Sequence, residues 1–151
     1  MKPMKRWIFA TAVTLLPLGA VASEATQVDV SHAWIRVLPG ALPAAGYATL
    51  SNDSGKAAAL VGASSPAYGH VMLHQSTVEN GMAHMIMVKN LDVPAHGKVT
   101  LAPGGYHLML MKAKQTVTPG QTVKITLRFA DGSEKTVDFA ARPANASDDA
   151  H

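Results

Sequence analysis

Short segments of alternating apolar and polar residues, separated by turn sequences, are the feature that most constrains the fold of this chain. In residues 122–129 every second side chain is apolar, which gives a β-strand one buried face and one wet face. The segments between strands combine glycine with asparagine, aspartate or proline, the residues that favour tight turns. No long amphipathic helix is evident. The predicted strands are residues 28–37, 45–50, 58–63, 71–76, 82–90, 98–101, 106–112, 122–129 and 135–140.

This strand pattern predicts an all-β fold. Many short strands joined by turns are typical of an antiparallel sandwich or barrel, and a strand with one wet face favours a two-sheet sandwich. Residues 23–151 are numerous enough for one domain with its own core, and no Pro-, Ser- or Gly-rich linker divides them. We therefore expect a single β-sandwich domain.

The N-terminus has the layout of a secretory signal. Three basic residues among the first six precede an apolar stretch at residues 7–20, and residues 20–22 read Ala-Val-Ala, a small-x-small cleavage pattern. We expect cleavage after Ala22 and export to the periplasm. A single N-terminal membrane anchor is the alternative, although no polar stop-transfer flank follows the apolar stretch. A lipoprotein would need a cysteine here, and there is none.

The predicted organisation is a signal peptide at 1–22, a folded domain at 23–142 and a tail at 143–151, whose Asn, Ala, Ser and Asp residues favour disorder. The signal carries three of the 13 basic residues, so the remaining chain has equal numbers of basic and acidic side chains. A nearly neutral domain has no electrostatic footprint for nucleic acid or anionic lipid. We expect neither nucleic-acid binding nor membrane association after processing.

The absence of cysteine narrows the possible chemistry. It excludes disulfides, thiolate nucleophiles, thiolate zinc sites and blue-copper centres, so that any soft metal ligand must be a methionine. In an oxidising compartment a thioether stays available where paired thiols would oxidise. The six methionines of the processed chain fall within forty residues and are Met72, Met82, Met85, Met87, Met109 and Met111.

The strand predicted at residues 106–112 has two largely apolar faces. Leu108 and Leu110 point one way with Tyr106, while a histidine and two methionines point the other way. An imidazole and a thioether two residues apart project in the same direction, so both can approach one ion. Packing beneath a neighbouring loop explains this strand equally well when it is considered alone. The second face consists of His107, Met109 and Met111.

A hairpin that turns at residues 80–81 supplies further candidate ligands. One arm ends its apolar run at His74, and the other carries His84 among three methionines, Met82, Met85 and Met87. Thioether and imidazole donors suit Cu(I), whereas zinc would call for cysteine or more histidine. Calcium and magnesium prefer oxygen ligands, and no acidic cluster lies in this region.

The spacing of these residues resembles a known motif. His74 is followed by ten residues, Met85, twenty-one residues and then His107-Leu108-Met109. This resembles the periplasmic copper chaperone family PCu(A)C, formerly a domain of unknown function, and every spacing of its motif fits. Gln75 stands where some members have an optional methionine. Further segments similar to the family's are 33–36 (Ala-Trp-Ile-Arg), 45–47, 60–67 and 101–109.

The resemblance implies a cupredoxin-like Greek-key β-sandwich that binds one Cu(I) near its surface. It implies delivery of copper toward cytochrome c oxidase assembly, to an oxidase subunit or with a thiol-bearing copper chaperone, and it implies no enzyme activity. We expect a monomer. Carried over position by position, the ligands would be His74, Met85, His107 and Met109.

Other histidines and methionines near the motif do not match it. Strand alternation predicts that His84 faces away from Met85, whereas Met87 and Met111 share faces with the implied ligands. His70, Met72 and Met82 are interpreted as structural. Some family members carry a tail that adds a Cu(II) site, and its counterpart here would be His151 beside two aspartates; His32 and His96 are interpreted as solvated.

Three other functions stay open at this stage. A copper monooxygenase uses an N-terminal histidine, whereas the expected new N-terminus is Ser23, and no hydrolase constellation stands out. A periplasmic copper-buffering or resistance protein would share the same site chemistry. An exported, metal-free β-sandwich module for assembly would make the His and Met pattern a coincidence of the core.

Processing provides the first test. The exported protein is expected to begin at Ser23 or within a few residues of it, because Ala20-Val21-Ala22 fits signal peptidase. Intact mass of periplasmic material measures this directly. Full-length chain retained in the membrane would contradict the prediction of a soluble carrier.

Overall fold

A computed structural model describes residue 14 and residues 19–147 of the chain. Most of the predicted signal peptide and the tail residues 148–151 lie outside this part. Within it, no helix is long and apolar enough to cross a membrane. The elements are α1 (Glu24–Gln27), β1 (Val28–Arg36), β2 (Ala44–Asn52), β3 (Ala58–Ser64), β4 (Tyr68–Glu79), β5 (Met82–Met87), β6 (Leu91–Val93), β7 (Gly97–Leu101), β8 (Tyr106–Ala113), β9 (Thr122–Phe129) and β10 (Glu134–Arg142).

The all-β prediction is confirmed, and the predicted strands differ from the observed ones mainly at their ends. The predicted strand 82–90 stops at Met87, because Val88 donates its last backbone hydrogen bond to Leu73 of β4 and the chain then leaves that strand. A separate three-residue strand, β6, follows and pairs with β3 on the far side of the domain. Neither β6 nor the four-residue helix α1 was predicted, since both are too short to show a periodic pattern.

The strands form one continuous hydrogen-bonded order, β5-β4-β8-β2-β1-β10-β9-β3-β6, and β7 branches from β2. Most neighbours are not consecutive in sequence, so the connections cross between layers as in a Greek key. The branch arises because β2 pairs with β8 through residues 44–46 and with β7 through residues 48–52. All pairs are antiparallel except β1 with β10, which is parallel.

A single hydrophobic core joins the two ends of this order. Leu73 of β4 and Leu108 of β8 belong to the same buried cluster as Ile125 and Leu127 of β9. Because strands far apart in the sheet share one cluster, the sheet folds over on itself and its two halves pack face to face as a sandwich. The alternation predicted for β9 is also confirmed, since its four apolar residues are buried: Val123, Ile125, Leu127 and Phe129.

The start of the domain is tied to the rest of the fold by α1. Ser23 caps the helix with its side chain, and the Glu24 carboxylate accepts hydrogen bonds of 3.1 Å from the backbone amides of Ala59 and Ala130. The Glu24 amide in turn donates to Asp131 at 2.9 Å. Hydrogen bonds from Ser133 and from this amide lower the pKa of Asp131.

A buried side-chain amide, that of Asn52, fixes the C-terminal end of β2. Asn52 is completely buried, and its side-chain nitrogen donates to the carbonyl oxygens of Lys56 at 2.7 Å and Val93 at 3.2 Å. Its side-chain oxygen accepts from the backbone amide of Ser54 at 3.0 Å. One side chain therefore connects β2, the following loop and β6.

Replacing Asn52 tests this connection. The Asn52→Ala variant leaves buried backbone groups without partners, so we expect the free energy of unfolding to fall by about 1–3 kcal/mol. Urea denaturation measures it. The matched control is Asn90→Ala. Within residues 19–147, Asn90 bonds only to the exposed side chain of Asp92, so its replacement should change stability by less than about 0.5 kcal/mol. Equal effects of the two substitutions would contradict the structural role of Asn52.

Candidate metal centre

The hairpin of β4 and β5 turns on two residues with left-handed backbone conformations. Asn80 has φ 52° and Gly81 has φ 77°, the pattern of a type I′ turn, which suits the twist of paired strands. A two-residue turn also determines which residues face each other. Ser76 lies opposite Met85, and His74 lies opposite Met87. The predicted Asn-Gly turn is therefore what aligns the soft side chains of β5 with those of β4.

Strand β8 pairs with the other edge of β4. His107 lies directly opposite His74, and Met109 lies opposite Met72. Directly opposed residues project from the same face of a sheet, with Cβ atoms about 4.5–5.5 Å apart. The structure thus brings the four residues of the motif to one face of three adjacent strands, in the sequence His74, Met85, His107 and Met109.

The opposite face of these strands belongs to the core, as the alternation in β8 predicted. Leu108 and Leu110 are fully buried and Leu73 is nearly so, while Tyr106 packs partly against the same cluster. The core anchors the strands, so the face that carries histidine and methionine is held in place without taking part in packing the interior.

His107 is oriented by its own backbone. Its Nδ1 lies 3.1 Å from the carbonyl oxygen of Gly105, so a proton on Nδ1 donates to that oxygen and leaves Nε2 as a bare acceptor. Nε2 is buried and has no hydrogen-bond partner within the described residues. Metal-binding histidines commonly donate one ring N–H to a carbonyl and present the other nitrogen to the ion.

His74 presents a second buried nitrogen of this kind. Its Nδ1 is also without a hydrogen-bond partner in the described part of the chain. The two imidazole rings lie 5.9 Å apart between centroids at an interplanar angle of 83°. Burial, and then the neighbouring His107, lower the pKa of His74. The ring is therefore neutral at neutral pH, the form that can bind a metal.

The two thioethers stand on the open side of the site. Met85 is 58% exposed on the edge strand β5, whereas Met109 is half-buried on β8. Together with His107 they line a cavity of about 440 Å³. A larger cavity of about 710 Å³ lies between residues 37–44 and 113–119, and its lining contains none of the four motif residues and only one charged group, Lys114. The donor chemistry favours the smaller cavity.

The register also places the residues around the motif. His84 lies opposite Thr77 on the other face of the sheet, so it points away from Met85 as predicted. Met87 and Met111 share the face of the motif, and so do Met72 and His70, which the sequence interpretation had treated as structural. The signal for the last two was present, since both lie an even number of residues before His74 on one strand.

The described part of this domain offers no ligand cluster for a metal that depends on carboxylate, thiolate or imidazole groups alone. Within residues 19–147 there is no group of three or more His, Cys, Asp or Glu side chains close enough to hold a metal. His32 and His96 both have φ near 52° and lie at exposed positions away from the motif. A metal at this site would depend on sulfur. The suggested Cu(II) ligand His151 lies outside the described residues.

One further residue reaches the cavity, although the sequence alone did not assign it to the site. Arg36, from the Ala-Trp-Ile-Arg segment, lines the cavity together with Met85, His107 and Met109. Its Nε is buried without a hydrogen-bond partner in the described structure. The segment is recognisable in the sequence, but its position at the border of the site follows only from the pairing of β1, β2 and β8.

This chain is similar to known proteins over most of its length. Residues 28–141 match the family described as "Putative lipoprotein LpqE-like". The chain is 37% identical over 115 residues to "Putative lipoprotein Lxx21020" of Leifsonia xyli subsp. xyli, a match that spans 76% of this chain and 69% of that protein.

Two solved structures are similar across most of the domain. The copper-bound PCuAC domain from PmoF2 is 25% identical with a TM-score of 0.65, covering 78% of this chain and 93% of that one. The Cu(I) form of DR1885 from Deinococcus radiodurans is 37% identical with a TM-score of 0.59, covering 86% of this chain and 85% of that one. The chain therefore belongs to the LpqE-like family, and its β-rich domain is of the PCuAC type.

Proposed function

We propose that this protein is an exported copper chaperone that holds one Cu(I) with His74, Met85, His107 and Met109. The observation that carries the proposal is the pair of buried imidazole nitrogens that have no partner within residues 19–147, on the strand face that also carries the two thioethers. Leaving each nitrogen unpaired costs about 1–3 kcal/mol, and a bound ion would offset that cost. Copper in similar PCuAC domains supports the same assignment.

Cu(I) suits this donor set better than other biological metals. Thioether and imidazole are neutral, soft or borderline donors, and Cu(I) accepts them without strict geometry. Zinc sites of high affinity rely on cysteine or additional histidine, and the chain has no cysteine. With four neutral ligands, the ion and its ligands together carry only the charge of the ion.

Release of the ion is as important to a chaperone as its capture. The imidazoles stand on β4 and β8, which are paired on both sides, whereas Met85 stands on the exposed edge strand β5. An acceptor could replace the exposed thioether first, because a thiolate is a stronger donor to Cu(I) than a neutral thioether. The carrier itself needs no redox step and no catalytic residue.

The acceptor that we propose is a periplasmic protein of cytochrome c oxidase copper-site assembly, either an oxidase subunit or a thiol-bearing copper chaperone. A copper-buffering role would use the same ligands. The two differ in transfer: a chaperone should pass Cu(I) to such an acceptor faster than free exchange through a chelator, and a buffer should not. We also propose that the carrier is a monomer and that any Cu(II) site in the tail is separate and weaker.

Substitution of the ligands tests the site. Met85→Leu and Met109→Leu conserve side-chain volume, so the free energy of unfolding should change by less than about 1.5 kcal/mol. The affinity for Cu(I) should fall by about tenfold or more. His74→Ala and His107→Ala should also weaken binding. Competition with a Cu(I) chelator measures the affinity. The loss of binding free energy in the double methionine variant should differ from the sum of the two single losses, because both residues share one ion.

The matched control is Met82→Leu. Met82 is 64% exposed on the same strand as Met85 but projects from the opposite face. The Met82→Leu variant should therefore bind Cu(I) as tightly as the parent. Parent-like affinity in all four ligand variants would place the site elsewhere. Tighter binding of zinc than of Cu(I) would refute the proposed metal.

The pH dependence has a defined sign. Burial lowers the pKa of His74 below its ordinary value of 6.5, so the folded protein takes up its proton at a lower pH than the unfolded chain. The contribution to stability is complete above pH 6.5 and is lost as the pH falls below that value toward the folded pKa. Protonation of His74 should likewise weaken Cu(I) binding only below pH 6.5.

Urea denaturation of the metal-free protein across this range measures the stability arm, and chelator competition measures the binding arm. His74→Leu should remove the stability change that begins below pH 6.5, whereas His96→Ala should retain it. A loss of stability that begins at or above pH 6.5 in the parent and is absent from His74→Leu would contradict the neutral, buried imidazole at His74.

A further inference from the structure

Arg36 faces the candidate copper ligands across a single small residue. On β1 it lies opposite Ala45 of β2, and Ala45 lies opposite Met109 of β8. Opposed residues share a sheet face, so the three side chains form a row across adjacent strands. Because alanine ends at Cβ, the long side chains of Arg36 and Met109 can meet above it. Both line the cavity of about 440 Å³.

The guanidinium group is held firmly while one of its donors stays unused. Its Cζ lies 5.5 Å from the ring centroids of both Trp34 and Tyr47, which are themselves buried. Its Nη2 donates to the carbonyl oxygen of Ala146 at 2.8 Å. Its Nε, by contrast, is buried without any partner among residues 19–147. An unpaired buried donor on a fixed cation beside a cavity indicates a place for an acceptor that is not part of the domain.

Among the residues that the structure describes, Arg36 is the one charged side chain that lines the cavity, and a second arginine lies beside it. Arg142 is the neighbour of Arg36 on β10, and its guanidinium lies 5.0 Å from the Trp34 ring. In the described part of the chain neither arginine forms an ion pair with a carboxylate, the recorded pair being Lys124 with Asp138. The proposed ligands are neutral, so a bound Cu(I) would add a further positive charge. Such a site repels cations and attracts an anion.

We propose that Arg36 forms an anion subsite next to the copper ligands and that it receives the thiolate of the copper acceptor. This inference rests on the proposed function and adds the chemistry of the transfer step. The guanidinium favours the ionised form of an incoming thiol, because a nearby positive charge stabilises the thiolate. A neutral imidazole or thioether from an acceptor would gain nothing from it.

The exchange is balanced without any redox partner. The acceptor thiol gives its proton to solvent, and its sulfur forms a bond to Cu(I) as the bond from Met85 or Met109 sulfur breaks. Copper stays Cu(I) throughout. Arg36 touches the incoming sulfur rather than the ion, and the two fixed positive charges also limit how tightly the cation is held, which favours release.

Three small thiols of similar length and different charge test the subsite. The protein, purified as the cell processes it and carrying one equivalent of Cu(I), is mixed with 2-mercaptoethanesulfonate, 2-mercaptoethanol or cysteamine. The rate of copper transfer is followed by thiolate–Cu(I) absorbance in a stopped flow and expressed per thiolate present. For the parent we expect copper transfer to the anionic thiol to be about tenfold faster than transfer to the cationic thiol, and the rate with the neutral thiol should lie between them.

Arg36→Gln should make the transfer rates with the three thiols nearly equal. Arg36→Lys, which keeps the positive charge, should retain most of the difference between them. The matched control is Arg128→Gln, since that guanidinium lies against Gly62 in another part of the sandwich and should leave the ordering intact. Circular dichroism and chelator competition first verify that each variant is folded and binds one Cu(I).

The outcomes separate the two proposals. If the parent binds no Cu(I), the copper function fails and the subsite fails with it. If Arg36→Gln binds Cu(I) and keeps the parent's ordering, the subsite is wrong while the copper function stands. If Arg128→Gln flattens the ordering as much as Arg36→Gln, the preference comes from the overall charge of the domain and the subsite is again wrong.

Discussion

The pairing of β4 with β5 on one edge and β8 on the other is the constraint on which the candidate site depends. Side chains alternate between faces, so a slip of one residue would turn Met85 to the other face in the β4–β5 ladder, and would turn His107 and Met109 toward the core in the β4–β8 ladder. The Asn80-Gly81 turn prevents the slip on one side, since both residues adopt the positive φ that a two-residue turn needs. On the other side, burial of Leu108 opposite Leu73 prevents it.

The same arrangement explains why a stable domain can hold unpaired polar atoms. Two imidazole nitrogens and one guanidinium nitrogen are buried without partners in the described chain, and each costs about 1–3 kcal/mol. The core behind the sheet and satisfied groups such as Asn52 provide the compensating stability. Arg36 and His107 line one cavity, and the ring of His74 lies 5.9 Å from that of His107. Local rules fail together at this place, as is expected of a functional site rather than a packing defect.

The sequence was sufficient for the strands with clear alternation, for the turn at residues 80–81 and for the face on which each motif residue lies, because these depend on local periodicity. It was not sufficient for β6 or α1, which are too short to show a period. The position of Arg36 could not be read from it either, because Arg36 and Met109 are 73 positions apart and meet only through the pairing of β1, β2 and β8. Long-range pairing leaves no trace in one sequence.

The two halves of the candidate site differ in rigidity, and this difference suits a carrier. The imidazoles stand on strands paired along both edges, and His107 is further oriented by the Gly105 carbonyl, so their geometry is preorganised. Met85 stands on an edge strand whose residues are all exposed, with unbranched side chains that reorient easily. In the proposed transfer, the firm imidazoles would select the ion, and the exposed thioether would be the ligand that an acceptor displaces. Arg36 lines the same cavity as Met85 and Met109, so in the proposed transfer its positive charge would stand beside the thioethers that an incoming thiolate displaces.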